Sequence, residues 1–308
     1  MSSEMRTGHP VKHEPAFSTS GRTTAARLKA YYDLTKPRIA LLVLIVAVAS
    51  FYLASPRSID WLRLVGTILG VGLLAAGIFS LNHYMERDVD ILMRRTDRRP
   101  LPSKRLSPTE ALWFGSILTG GSILFITAVL GWLSGALALF TFVSYVFIYT
   151  PLKRRTEYHT ALGALPGAMP PLLGWAAARG SLDLDAWLLF GILFFWQFPH
   201  FLAIEMMYSE DYARAGIRVL PVIEPTWTAT TTEVGVSLVL LVGMSLSPFF
   251  TGLVGPLYLT GAILSGFFFL VAGAVAFVRR DRKGARLLLL ASVFYLPVLF
   301  GLMVLDAK

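Results

Sequence analysis

The sequence predicts an all-α, polytopic membrane protein of about nine transmembrane helices, and three observations carry that prediction. The 308 residues are 55% hydrophobic and only 15% charged, with a mean hydropathy of +0.62, which is too apolar for a water-soluble domain of this size. The apolar residues gather into nine stretches, at about 39–54, 63–83, 109–131, 134–150, 161–178, 185–205, 231–250, 254–278 and 285–305. Each is long enough to cross a hydrocarbon core of about 30 Å as a helix. The cations are one-sided: with the N-terminus inside, all 28 Lys and Arg residues except Arg57, Arg63, Arg179 and Lys308 fall on the inner side, as the positive-inside bias demands.

Backbone in hydrocarbon has no water to bond, so each stretch is expected to satisfy itself as a helix. Residues 1–30 are polar and lack an apolar core or a small-residue cleavage site. They read as a disordered cytoplasmic tail ahead of a transmembrane domain over 31–308. The net charge of +9 is accounted for by topology and implies no nucleic-acid partner. With no cysteine, disulfides and thiolate metal sites are excluded. Three inner loops, 84–108, 151–160 and 206–230, hold nearly all the ionisable residues, whereas outer connections such as 131–134 are minimal. Chemistry is therefore expected on the cytoplasmic face, with the C-terminus on the opposite side.

The second stretch ends in Asn82-His83-Tyr84-Met85-Glu86-Arg87-Asp88-Val89-Asp90. Asn82, Glu86 and Asp90 fall at i, i+4 and i+8, so a continuing helix places them on one face. Hard oxygen donors at that spacing suit Mg²⁺ holding a substrate phosphate; a solvated helix end paired with Arg87, Arg94 and Arg95 fits the spacing equally well. Asp88 points away from that face and is expected to pair with a nearby Arg. The basic run from Arg94 to Arg105, Arg98 included, lies beside the carboxylates and could cradle a diphosphate. Lys153-Arg154-Arg155 could complete that cradle, or serve only as a topogenic anchor.

After the sixth stretch the chain reads Trp196 to Gly216, with Pro199-His200, Glu205, Tyr208, Asp211 and Tyr212. Four crossings separate this cluster from the first, so both lie on the same side and could bracket one metal-diphosphate site. His200 reads as a structural residue or as a ligand, and Glu205 is an acid at membrane depth. The stretch 163–175 carries three prolines and three glycines, which predicts a bent or broken helix. Its small residues admit either close helix packing, the favoured reading, or a flat ligand.

These residues resemble the UbiA-type intramembrane prenyltransferases. The resemblance is carried by Leu34-Thr35-Lys36-Pro37-Arg38-Ile39, by Asn82 to Asp90 with Met93-Arg94-Arg95-Thr96 and Arg99-Pro100, and by Tyr149-Thr150-Pro151-Leu152-Lys153-Arg154. The 163–175 segment, Trp196 to Phe201, and Asp211-Tyr212 through Gly216 to Leu220-Pro221-Val222 narrow it to the haem O synthase branch of that family. The resemblance implies a helical bundle around a central cavity open to lipid, in the bacterial cell membrane. It implies transfer of farnesyl from farnesyl diphosphate to the C2 vinyl group of haem B, with water adding to give a hydroxyethylfarnesyl side chain. Mg²⁺ is the implied cofactor, and the downstream haem A synthase an implied partner. By position, Asn82, Glu86 and Asp90 would form the first metal motif and Asp211 would belong to the second. Lys36, Arg38, Arg94, Arg98, Lys153, Arg154, His200, Tyr208 and Tyr212 would bind the substrates.

Two departures stand out. Glu86 occupies a position where many haem O synthases carry Asp, and Glu205 one where a small or apolar residue is expected. Tyr208 and Tyr212 stand where the wider superfamily has aspartates, which argues against a quinone-type enzyme. The competing expectations are a UbiA-type prenyltransferase acting on a quinone, phenol or other tetrapyrrole, and a non-catalytic haem-binding or transport protein.

Overall fold

Each apolar stretch folds as a helix, and the polar residues flanking it set where the helix begins. The computed structural model describes residues 23–55 and 58–308. Residues 1–22 of the expected tail, and the outer Arg57, lie outside the described residues. The helices are α1 Thr24–Leu34, α2 Pro37–Leu53, α3 Trp61–Asp90, α4 Pro108–Leu130 and α5 Trp132–Val143; a π-helical turn, Ser144–Tyr149, then leads into α6 Thr150–Leu152. There follow α7 His159–Gly167, α8 Met169–Arg179, α9 Leu184–Met207, α10 Ser209–Arg214, α11 Leu220–Ile223, α12 Thr228–Phe250, α13 Pro256–Arg279 and α14 Arg282–Leu305. Asp60, Asp183 and Asp281 cap α3, α9 and α14 by accepting from backbone N–H groups. Ser107 and Glu110 close a reciprocal capping box on α4, so the orphan donors of these helix starts are satisfied.

All nine expected crossings coincide with helical segments. Seven are single runs long and apolar enough to span a bilayer. The 17-residue α2 reaches that length only together with α1, to which it is joined at a bend of 49°. The fifth crossing is the pair α7 and α8, broken at Ala168 behind the internal Pro166, as its prolines lead one to expect. Helix α3 runs past its expected end at 83 to Asp90, so the whole acidic run is helical.

One expectation is corrected: residues 24–30 are not loose tail but the first turns of α1. Ala30 and Leu34 are buried against Leu101, Leu106 and Ala111, while Arg27 pairs with Glu110 and Asp33 with Arg105.

The bundle has two cores that share α2 and α8. One gathers α3, α4 and α5 around Val71, Leu74, Ile78 and Ile126; the other gathers α9, α12, α13 and α14 around Leu189, Leu241, Tyr258, Phe269 and Leu299. Trp175 of α8 is fully buried between helices. At one end of the bundle Arg63 donates to the Leu130 and Ala178 carbonyls, and Arg179 to the Ala54 carbonyl. These cations satisfy the last C=O groups of α4, α8 and α2. The ends of α3 and α9, with the loops that follow α3 and α6, therefore meet at the other end, where the ionisable residues are concentrated.

Candidate active site

Because α3 stays helical to Asp90, the four-residue spacing places Asn82, Glu86 and Asp90 on one face, and all three are buried. Buried carboxylates are tolerable only when paired, and each polar group here has its own partner. Lys36 Nζ donates to Asn82 Oδ1 at 2.7 Å, Lys153 Nζ to Glu86 Oε1 at 3.0 Å, and Arg99 Nη1 to both oxygens of Asp90 at 2.7 and 2.8 Å. Arg99 also stands 3.9 Å from Glu86 Oε2. Three cations from three separate segments thus converge on one helical face.

Local structure delivers each cation. Lys36 sits at the break between α1 and α2 with φ +47°, a left-handed conformation costly for a side-chain-bearing residue, and its ammonium lies 5.5 Å over the Phe79 ring. Arg99 is turned back onto α3 by the loop that follows it, where Thr96 Oγ1 donates to the Asp90 carbonyl at 2.7 Å and Ser103 Oγ to the Arg99 carbonyl at 2.6 Å. Lys153 follows α6 directly. Burial alone would push the Lys153 ammonium's pKa down, but the Glu86 carboxylate, helped by Tyr149 and Tyr212, outweighs that and holds it above the usual lysine range. Lys153 therefore stays charged in this site.

The second cluster docks on the first through apolar packing. Val89 and Met93, at the end of α3, pack with Tyr208, Tyr212, Ile217 and Val219. Arg95 completes the join: its Nη2 donates to the Tyr212 hydroxyl at 2.6 Å, and its guanidinium lies 4.6 Å from the Tyr212 ring and 5.3 Å from that of Tyr208. Asp211 is buried and paired with Arg214. The two motifs are thus brought together by tyrosines and an arginine rather than by facing carboxylates.

The remaining expected residues are placed as follows. Arg38, Arg94, Arg98 and Arg154 are exposed, and the positions on the carboxylate face are taken by Arg99 and, at the tyrosines, Arg95. Asp88, as expected, points outward and lies 3.6 Å from Arg87. His200 is packed against α14, with Nδ1 2.8 Å from Ser292 Oγ and its ring stacked 4.6 Å from Trp196.

Whether this face suits Mg²⁺ is decided by its donor set. Among the described residues no group of three or more His, Asp or Glu side chains could by itself hold a metal ion. Mg²⁺ is ordinarily held by one or two carboxylates together with substrate phosphates and water, not by an all-protein cage. Glu86 and Asp90, with the Asn82 amide oxygen beside them, match that pattern, and the surrounding cations match the phosphates.

The structure also accounts for Glu205. Its Oε1 lies 3.1 Å from His159 Nε2 and accepts from Thr160 Oγ1 at 3.1 Å, all three residues being buried. His159 Nδ1 is 3.1 Å from the Thr156 carbonyl, which can only accept. Nδ1 is therefore the donor of that bond, and Nε2 faces the carboxylate. The pair ties the start of α7 to the end of α9, and His159 is a partner that sequence reasoning missed. Glu205→Leu alone leaves His159 Nε2 and the Thr160 hydroxyl buried without their shared partner and is expected to cost about 3 kcal/mol; adding His159→Leu recovers part of that loss. Thermal melting of the single and double variants in detergent measures the coupling, expected at about 1–3 kcal/mol. Additive losses would contradict the pairing.

Known proteins place this architecture. The family model described as "UbiA prenyltransferase family" matches residues 43–299, and the chain belongs to that family. Among its relatives, a protein named protoheme IX farnesyltransferase in Solibacter usitatus is 44% identical over 288 residues, covering 91% of this chain and 99% of the relative. One of the same name in Koribacter versatilis is 39% identical, covering 92% of this chain and 94% of the relative. Among solved structures, a digeranylgeranylglyceryl phosphate synthase superposes with a TM-score of 0.77 at 16% identity, covering 91% of this chain and 98% of its own. A UbiA homologue from Archaeoglobus fulgidus bound to DMAPP and Mg²⁺ superposes with a TM-score of 0.62 at 16% identity, covering 89% and 98%. The structural likenesses speak to the fold.

Proposed function

We propose that this protein transfers the farnesyl group of farnesyl diphosphate to the C2 vinyl group of haem B, with addition of water, to give haem O. The observation that carries the proposal is the convergence of Lys36, Arg99 and Lys153 on the Asn82-Glu86-Asp90 face. It is supported by relatives named protoheme IX farnesyltransferase at 44% and 39% identity along most of the chain, and by the homologue bound to a prenyl diphosphate and Mg²⁺. We place this face on the cytoplasmic side, because the Lys and Arg residues concentrate there.

Glu86 and Asp90, with Asn82, would hold Mg²⁺, which when bound supplies positive charge against the diphosphate oxygens. The chain's own groups do the rest. Lys36, Lys153 and Arg99 offer ammonium and guanidinium donors to the diphosphate, and their charge stabilises the leaving group as the bond to the farnesyl carbon breaks. Arg95, held over Tyr208 and Tyr212, extends the cationic rim. Asp211 would join the metal set by releasing Arg214. Arg38, Arg94, Arg98 and Arg154, on the exposed side, would draw the polyanionic substrate toward the site.

His200 has the tautomer a haem ligand needs. Ser292 donates its own hydroxyl proton to the Leu289 carbonyl at 2.6 Å, so it accepts from His200 Nδ1–H. Nε2 is left with a lone pair for the iron of the haem substrate, its ring oriented by the hydroxyl behind it. Membranes containing the protein, incubated with haem B, farnesyl diphosphate and Mg²⁺, are expected to yield haem O, identified by chromatography and mass. No product from membranes in which the folded protein is present would refute the proposal.

A further inference from the structure

One polar side chain in the site is satisfied by nothing around it. His83 is 2% exposed, and neither Nδ1 nor Nε2 has a hydrogen-bond partner among the described residues. Every other polar group on that face of α3 is paired, so the exception is specific. A buried N–H and a buried lone pair without partners destabilise the protein that contains them. Such groups are retained where a ligand completes them.

The position of His83 says which part of a ligand. Phe79, His83, Glu86 and Asp90 fall at i, i+4, i+7 and i+11 and form one buried stripe along α3. The opposite side is taken by α4, which closes on Gly70 and Gly77 with Ile126 and Thr119. Lys36 Nζ lies over the Phe79 ring, one turn before His83, and on Oδ1 of the adjacent Asn82. Stepping back three residues from Glu86 moves about 4.5 Å along the helix, away from the charged end and toward the hydrocarbon. A prenyl diphosphate must lie the same way, its diphosphate at Glu86 and Asp90 and its chain in the apolar interior.

We propose that His83 binds the prenyl donor at the junction of its two parts, donating a hydrogen bond to the oxygen that links the diphosphate to the prenyl carbon. The inference rests on the prenyl-transfer reading above. In the reaction the bond between that oxygen and the prenyl carbon breaks and its electron pair stays on the oxygen. The diphosphate leaves as the anion, and the imidazole N–H stabilises the new charge without giving up its proton. His83 is then a catalytic residue that trades stability of the ligand-free protein for rate.

The test uses His83→Leu and His83→Gln in the full-length protein. His83→Leu is expected to raise the melting temperature of the ligand-free protein, to weaken binding of inorganic diphosphate with Mg²⁺ measured by calorimetry, and to lower kcat about 100-fold. His83→Gln keeps a donor at that position and is expected to recover part of the affinity and rate, which also covers the case in which the Leu variant fails to fold. Unchanged diphosphate affinity and kcat in a folded His83→Leu variant, or a His83→Gln variant that recovers neither, would overturn the proposal. If wild type binds diphosphate in a His83-dependent way yet makes no haem O, the role of His83 stands and the haem acceptor fails.

Discussion

Glu86→Gln is expected to lower haem O formation by about 10²–10³-fold, a loss of the size seen when one preorganised charge-stabilising group is removed, while the protein still folds. Glutamine keeps the shape of the side chain and can still accept from Lys153 at the 3.0 Å separation. What it removes is the charge that Lys153 and Arg99 share and one hard-oxygen ligand. Folding survives because Arg99 retains Asp90, its closer partner at 2.7 Å. Asp90→Asn is a harsher change: Asp90 is wholly buried and the substitution leaves Arg99 only the more distant Glu86 carboxylate, at 3.9 Å, at a cost of about 3 kcal/mol. Asp88→Asn is the control, since Asp88 is exposed and its ion pair among the described residues is with Arg87; its rate should stay within about twofold, as for surface changes away from a site. Initial rates, with haem retention and melting temperature on the same preparations, separate chemistry from folding. A wild-type rate for Glu86→Gln would remove the carboxylate from the mechanism.

The features legible in the sequence are those with a short period. Nine crossings follow from hydropathy, and the common face of Asn82, Glu86 and Asp90 follows from 3.6 residues per turn. Arg99 was harder to single out from Arg94, Arg95 and Arg98. Which of the four turns back onto α3 depends on Thr96 bonding the Asp90 carbonyl and on Arg105 bonding the Arg98 carbonyl, a loop geometry with no periodicity to read. Helix α1 was hidden because it is only weakly apolar and is held by partners far along the chain, Glu110 for Arg27 and Arg105 for Asp33. Glu205 looked anomalous for the same reason: its partners His159 and Thr160 lie on another helix, more than forty residues earlier in the chain. Spacing reports a helix face, whereas pairing across the bundle is settled only by the fold.

Gly174→Ala is expected to be the most damaging single-methyl change in the bundle, costing about 3 kcal/mol or more. A Cβ at Gly174 would overlap the Ala47 carbonyl oxygen and come within 2.8 Å of its carbon. All of these are backbone atoms of α2, so no side chain can rotate out of the way. Helix α2 cannot retreat, because Ala47 and Phe51 are themselves buried in the core shared with α3. This resolves the two readings of the glycine- and proline-rich stretch in favour of close packing: Gly174 admits α2, and Gly163 admits the Tyr149 ring, which a Cβ would meet at 2.5 Å. Gly120→Ala is the counterpart, in an exposed helical position with nothing within 4 Å of its Cβ. There the gain in helix propensity should stabilise by about 0.5–1 kcal/mol. Melting midpoints and monodisperse yield in detergent compare the two, and equal midpoints would refute the clash. The damage should also reach the site. Helix α2 begins next to Lys36 and α8 continues from the helix that carries His159, so a displacement at their crossing shifts Lys36 relative to Asn82 and loosens the ring of cations on which diphosphate binding depends.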